Sequence, residues 1–226
     1  MRIVIIGGGI GGLTAAIGLG KTGIEAHVYE KAPELREVGA GIGLMPNALK
    51  ALDILGLGDE IRSQCGTGVQ GGVKDSCGRV LVEIPADELA RSFGSVFVVH
   101  RAELLAFLVN QLRPEQIHLG HACTGFEQNA DGVVARFENG ETASGDGLIG
   151  ADGLRSTVRK QFLGDPVIRY SGYTAWRSVV DFEGSDRMSS KELAGTTEPG
   201  AVGQGRVLPR FEGRPGPVPA SNQRRV

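Results

Sequence analysis

Hydrophobic and polar positions follow two periods along this chain, and the first thirty residues contain both. Arg2-Ile3-Val4-Ile5-Ile6 is a β-branched run that suits a strand buried on both faces. Residues 13–22 repeat apolar side chains at helical spacing, and residues 24–29 form a second short apolar run. Further on, helices are predicted at 46–55, with Pro46 tolerated in the first turn, and from His100 to Leu108, with an apolar face at Leu104, Leu105 and Leu108. From 66 to 99 the helical period stops, and residues 69–75 and 79–84 predict a hairpin joined at Ser76-Cys77-Gly78. Runs at 117–126, 133–138 and 142–143, with turns at Asn129-Ala130-Asp131-Gly132 and Asn139-Gly140, predict a meander. A buried strand then ends in Asp152-Gly153, a helix is expected over 154–159, and residues 170–182 alternate as a further strand. Beyond residue 186 the pattern dissolves: five of the ten prolines, Pro199, Pro209, Pro215, Pro217 and Pro219, fall there among glycines, which predicts irregular chain.

The glycines between the first strand and helix change this picture from architecture to chemistry. Gly7-Gly8-Gly9-Ile10-Gly11-Gly12 contains G-x-G-x-x-G directly after a strand and opening a helix, with Glu30 about twenty residues beyond it. Gly7 permits the tight turn, Gly9 lets backbone approach a pyrophosphate, and Gly12 lets helix and strand pack closely. The helix start at Ile10 and Gly11 presents free N–H groups to phosphate, and Glu30 takes the ribose hydroxyls. A carboxylate there repels a 2′-phosphate, so FAD and NAD remain as the alternatives. A glycine-rich loop at 38–44 gives a second place where a flat group can lie on backbone, which a simple NAD dehydrogenase does not need.

Composition narrows the class further. At 226 residues the chain has room for one large domain or two small ones, and 24 basic against 26 acidic residues give no footprint for nucleic acid. Cys65, Cys77 and Cys123 are odd in number and lack zinc or C-x-x-C spacing, so no metal site is expected and a reduced, cytoplasmic setting is. No apolar run reaches the length of a membrane span, and the N-terminus lacks a secretory pattern. No His, Cys or Ser forms a nucleophile–base constellation, so no catalytic residue is assigned. Arg101 stands in a first helical turn, where the dipole disfavours a cation by up to about 1 kcal/mol, so an anionic neighbour is expected, Glu103 being the local candidate.

Taken together, GGGIGGLTAAIGLGKTGIEAHVYEK, ELREVGAGIGLMPNALKALDILGL, the H-R-x-x-L block at His100 and the D-G block at Asp152 resemble the class A flavoprotein monooxygenases, the FAD-dependent aromatic hydroxylases, over about residues 1–182. The resemblance implies an α/β fold: a Rossmann-like FAD-binding domain of glutathione-reductase type carrying part of an inserted, mainly antiparallel substrate sheet. By that division residues 1–68 and 99–165 form the FAD domain, 69–98 and 166–186 the partial substrate sheet, and 187–226 an irregular tail. It implies that Gly7, Gly9, Gly12 and Glu30 hold the ADP half of FAD, and that Ile10, Gly11, Lys31, Arg36, Gly41 and Arg101 also meet the cofactor. Asp152, Gly153 and Arg159 would face FAD and the path of a transient NADPH or NADH donor. Tyr173, Trp176 and Arg177 are candidates for a substrate pocket, the alternative being cross-strand pairs. The implied activity is insertion of one atom of O2 into an aromatic or similarly electron-rich small molecule. The family's later G-D block and C-terminal helices have no counterpart, so the chain reads as truncated. A non-catalytic FAD-binding remnant and a related FAD-dependent reductase stand as alternatives.

Overall fold

The computed structural model describes residues 1–35, 41–67, 71–74, 79–165 and 167–170. Arg36, Cys77, Tyr173, Trp176, Arg177 and the 187–226 tail lie outside the described residues. The chain opens with β1 (Arg2–Ile6), α1 (Ile10–Lys21) and β2 (Glu25–Glu30), the unit its apolar pattern predicts. Then come β3 (Gly41–Leu44), α2 (Pro46–Ile54), α3 (Gly58–Ser63), β4 (Gly66–Thr67), β5 (Gly71–Lys74) and β6 (Val80–Ile84). Next are α4 (Ala86–Phe93), β7 (Phe97–His100), α5 (Arg101–Val109), a 3-10 turn (Pro114–Gln116) and β8 (Ile117–Leu119). Last are β9 (Cys123–Asn129), β10 (Gly132–Phe137), β11 (Thr142–Gly145), β12 (Gly147–Gly150) and α6 (Thr157–Leu163).

The layering follows from β1. Successive strand side chains point to opposite faces. Ile3 and Ile5 pack among Leu13, Ala16 and Ile17 of α1, Leu49 and Leu52 of α2, and Leu104, Leu105 and Leu108 of α5. Val4 and Ile6 turn the other way, onto Tyr29, Ala135, Phe137 and Ala143. The four-stranded sheet β12-β1-β2-β8 is parallel throughout, with helices on one face and the β11-β10-β9 meander on the other. Burial on both faces is the reason β1 is apolar without interruption. Asp146 ties the meander down: its amide donates to the Arg2 carbonyl (2.8 Å) and its carboxylate accepts from the Arg2 amide (2.6 Å). This is the Rossmann-like α/β arrangement expected, with the antiparallel β3-β7-β4 sheet and the β5–β6 hairpin beside it. Among the described residues no helix is long and apolar enough to cross a membrane.

Four local expectations are corrected. Residues 117–126 are not one strand: β8 runs parallel to β2, whereas β9 begins at Cys123 in the meander. The break is Gly120, at φ +72, where Gly120 and His121 donate to the carbonyls of Ala32 and Glu30. The glycine loop at 38–44 is strand from Gly41 to Leu44, because β7 pairs with it. The stretch 66–99, read as free of helix, contains α4, whose Asp87 and Glu88 lie in the first turn and Arg91 in the last, in line with the helix dipole. The last helix starts at Thr157 rather than Leu154, because Ser156 caps it.

Candidate cofactor site

The site lies outside the carboxyl ends of β1 and β12, paired through Ile6 and Gly150, where ligands of parallel α/β sheets bind. Two kinds of glycine make its floor. Gly7 has φ +111 and donates to the Tyr29 carbonyl at 2.8 Å, and a Cβ placed on it would lie 2.3 Å from the Ala151 carbonyl oxygen. A Cβ on Gly12 would lie 1.9 Å from the Gly7 carbonyl oxygen, so the helix start is seated directly on the strand end. Gly9 and Gly11 differ: among the described residues nothing comes within 4 Å of a Cβ at either. Gly9 caps α1 in extended geometry, no acid stands in the first turn, and the first amides, from Ile10 to Gly12, have no intrahelical acceptor. An open cradle facing unpaired donors at the positive end of a helix fits a pyrophosphate.

Glu30 stands at the end of β2 with its carboxylate clamped by backbone. Oε2 accepts from the Gly8 amide at 2.7 Å, and Oε1 accepts from the Ala32 amide at 2.9 Å. Each oxygen keeps a second lone pair, the acceptor set that vicinal ribose hydroxyls require. Lys31 follows, exposed. The other face of this strand end is braced by rings. Tyr29 stacks between His118, with centroids 4.5 Å apart, and Phe137, at 4.9 Å. His27 Nε2 lies 2.8 Å from a Glu25 oxygen and its Nδ1 lies 3.0 Å from His118 Nε2. His27 thus bridges Glu25 at the start of β2 to His118 on β8. Burial, then His27 and His121, lower the His118 pKa below its ordinary value, and burial raises that of Tyr29. Sequence reading did not reach this brace. The apolar–polar alternation in Ala26-His27-Val28-Tyr29 was its only local trace.

The β12 turn closes the site from the other side. The Ala151 amide donates to the Ile6 carbonyl at 2.7 Å, which brings Ala151 and the Asp152 backbone beside Gly7. Gly153 is exposed at φ +78. Asp152 Oδ1 accepts from the Ser156 hydroxyl, and Oδ2 accepts from the amides of Thr157 (2.7 Å) and Val158 (3.2 Å). Arg159 folds back to donate from Nη2 to the Leu154 carbonyl, and its buried Nε has no acceptor among the described residues. Gly41 and Arg101 form a second group: Gly41 pairs with His100 across the β3–β7 ladder, and Arg101 begins α5, which packs on α1. Arg36 and the pocket candidates Tyr173, Trp176 and Arg177 lie outside the described residues. Ala151, Ser156 and the Gly8 amide also build the site and were not singled out from sequence. The Asp-x-x-x-Ser spacing ahead of a helix was the available signal for Ser156.

The chain is 39% identical over 183 residues to the aurachin C monooxygenase/isomerase of Stigmatella aurantiaca, covering 80% of this chain and 48% of that one. It is 40% identical over 192 residues to 3-hydroxybenzoate 6-hydroxylase 1 of Aquipseudomonas alcaligenes, again covering 80% and 48%. Among solved structures it resembles Klebsiella pneumoniae HpxO complexed with FAD and uric acid, with TM-score 0.64 and 33% identity over 78% of this chain and 43% of that one. It also resembles 2,6-dihydroxypyridine-3-hydroxylase from Arthrobacter nicotinovorans, with TM-score 0.67 and 31% identity over 80% and 44%. The chain spans about half the length of the curated relatives it matches. The sequence profile of the FAD binding domain family matches residues 1–189, which include every described part of the cradle, and the chain belongs to that family.

Proposed function

We propose that this chain supplies the FAD-binding part of a monooxygenase that uses NADPH or NADH and inserts one oxygen atom of O2 into an aromatic or similarly electron-rich small molecule. The observation that carries this reading is the open cradle at Gly9 between the α1 amides and the clamped Glu30, in a chain similar to hydroxylases of ring compounds. The amides of Ile10, Gly11 and Gly12 hold the pyrophosphate, Glu30 the adenosine ribose, and Gly7 and Gly12 keep strand and helix close enough for both. Lys31, Arg36, Gly41, Arg101, Asp152 and Gly153 are the further cofactor contacts of this reading. Bound FAD supplies the redox chemistry, two-electron reduction by the nicotinamide donor and activation of O2. The protein's part is orientation and exclusion of water. We assign 1–68 and 99–165 to the FAD unit and 69–98 with 166–186 to a substrate-facing sheet, where Tyr173, Trp176 and Arg177 line the ring pocket. The same reading places the protein in the cytoplasm, without a nucleic-acid partner.

A visible absorption spectrum with and without added FAD, taken beside a melting curve, tests the binding part. Retained flavin bands and a melt that rises with FAD concentration are the expected results. A colourless protein whose melt ignores saturating FAD would overturn the cofactor assignment. Oxidation of NADH or NADPH that depends on an added hydroxybenzoate or urate and yields hydroxylated product tests the rest, and its absence in FAD-loaded protein would refute the activity for this chain.

A further inference from the structure

We propose that the contact between His27 and His118 positions Glu30 for the ribose and makes its grip sensitive to acid: a second proton on the pair parts β8 from β2 and releases the backbone that clamps the Glu30 carboxylate. The proposal rests on the FAD reading above and adds to it a proton-linked control of cofactor affinity.

The two rings have room for one hydrogen where they meet. His27 Nδ1 and His118 Nε2 lie 3.0 Å apart, and His27 Nε2 lies 2.8 Å from a Glu25 oxygen. A contact of that length between ring nitrogens needs one donor and one acceptor. Spread over the four ring nitrogens, two or three hydrogens allow this, whereas a fourth puts one on each facing nitrogen and forces the rings apart. His27 is held in place, being 8% exposed on a strand with a neighbour on either side. β8 is an edge strand of three residues, paired among the described residues with β2 alone, so it yields first. The chain leaving β8 is what holds Glu30. The Gly120 amide donates to the Ala32 carbonyl at 3.0 Å, and the His121 amide donates to the Glu30 carbonyl at 2.8 Å. The Ala32 amide is in turn the donor to Glu30 Oε1, at 2.9 Å. The histidine contact, the edge strand and the carboxylate clamp therefore move together.

The surrounding charges set the cost of that second proton. Burial opposes it most, followed by His27, His121 and Arg2 of β1, while Glu141 ahead of β11 favours it. His121 is itself engaged, through Nδ1 with the Leu119 carbonyl (2.7 Å) and through Nε2 with Glu141 (3.0 Å). Glu25 faces His27 from the start of β2, with Arg113 acting on it from beside the 3-10 turn. Tyr29, stacked on His118, has its pKa raised by burial and stays a neutral phenol. Acid therefore charges His118 only below its ordinary value of 6.5, and at the expense of the contact.

Glutamine separates positioning from titration. In His118→Gln the side-chain amide reaches the place of Nε2, donates to or accepts from His27 Nδ1, and takes no proton. Titration by flavin fluorescence between pH 8 and pH 5, well below each melt, reads FAD affinity. The wild-type Kd should be level down to about pH 6.5 and then rise by at most about tenfold per pH unit, the limit for one proton. His118→Gln should bind within about threefold of wild type at pH 8 and stay level to pH 5. Glu30 is present in both proteins, so its own titration produces no difference between them. Hydrogen exchange on the protein without added FAD reads the edge strand directly. Protection factors, which divide out the intrinsic pH dependence of exchange, should fall at the Gly120 and His121 amides in acid in wild type and hold in His118→Gln. A level wild-type Kd, or the same acid slope in His118→Gln, would overturn the coupling, as would protection at Gly120 and His121 that ignores pH. If wild type binds no FAD even at pH 8, the cofactor reading fails, while the exchange arm still decides whether the pair moves the Glu30 backbone.

Discussion

Gly9→Ala and Gly12→Ala separate the part of the glycine turn that holds the fold from the part that leaves room for ligand. The added methyl at Gly12 falls 1.9 Å from the Gly7 carbonyl oxygen. Carbon and oxygen rest at about 3.3 Å or more, so helix and strand must part by roughly 1.4 Å. Neither neighbour is a flexible side chain, so the cost sits at the upper end of overpacking, about 3 kcal/mol or above. For a chain of this size each kcal/mol lowers the melt by about 2–4 °C, so Gly12→Ala should lose roughly 6–12 °C without FAD present. At Gly9 the methyl meets nothing within 4 Å among the described residues, and the backbone, at φ −75 and ψ 179, is one that alanine adopts readily. A small loss of capping preference and a small gain from a stiffer unfolded chain nearly cancel, so the melt should move by no more than about 2 °C. The methyl does occupy the cradle assigned to pyrophosphate, and FAD affinity should fall at least about tenfold, or 1.4 kcal/mol. Differential scanning of the FAD-free proteins and titration by flavin fluorescence give both numbers. Wild-type affinity in Gly9→Ala would put the pyrophosphate elsewhere, and an unchanged melt in Gly12→Ala would show that the helix start is not seated as described.

Three further outcomes are expected. Glu30→Gln retains one acceptor oxygen, so either the Gly8 or the Ala32 amide loses its partner; a charge-assisted bond of about 1.5–3 kcal/mol predicts FAD binding about 10- to 100-fold weaker by calorimetric titration, and undiminished binding would take Glu30 off the ribose. Acid should weaken the fold in two steps. Burial and the neighbouring His27 and His121 depress His118, so the folded chain resists its protonation, and stability is complete above the ordinary value of 6.5 and declines as pH falls from there. Glu25, lowered chiefly by its hydrogen bond to His27, adds a second decline below its ordinary 4.5. Urea midpoints between pH 8 and 4 check the order, His118→Phe should erase the first step, and a midpoint that rises between pH 7 and 5 would reverse the assigned sign. Ile5→Ala, at a fully buried strand position, should cost about 2–5 kcal/mol in urea unfolding, and a loss under 1 kcal/mol would mean that the helices do not cover that face.

In the first thirty residues, what has a local cause was legible from the chain alone. The strand, the glycine spacing, the helix and Glu30 are local, because a period of two or 3.6 and the need for backbone without Cβ are written residue by residue. The uninterrupted apolar run of β1 also announced a sheet covered on both faces. What covers each face was decided only in three dimensions: α5 and the β9–β11 meander come from about a hundred residues away, and no local pattern says which of Val4 or Ile5 meets which layer. The same holds for the split of 117–126 into two sheets, since strand partners are chosen by whichever edges the folded chain presents. It holds most clearly at the site. The sequence marked Asp152 as chemistry beside a dinucleotide, but the direction of its carboxylate depends on α6, and α6 is held by Gln161 against β9. The Glu25–His27–His118–Tyr29 brace joins residues 91 apart. Hydrogen bonds and ring stacking act over a few ångströms of space, and distances of that kind between residues remote in the chain exist only once the tertiary structure has formed.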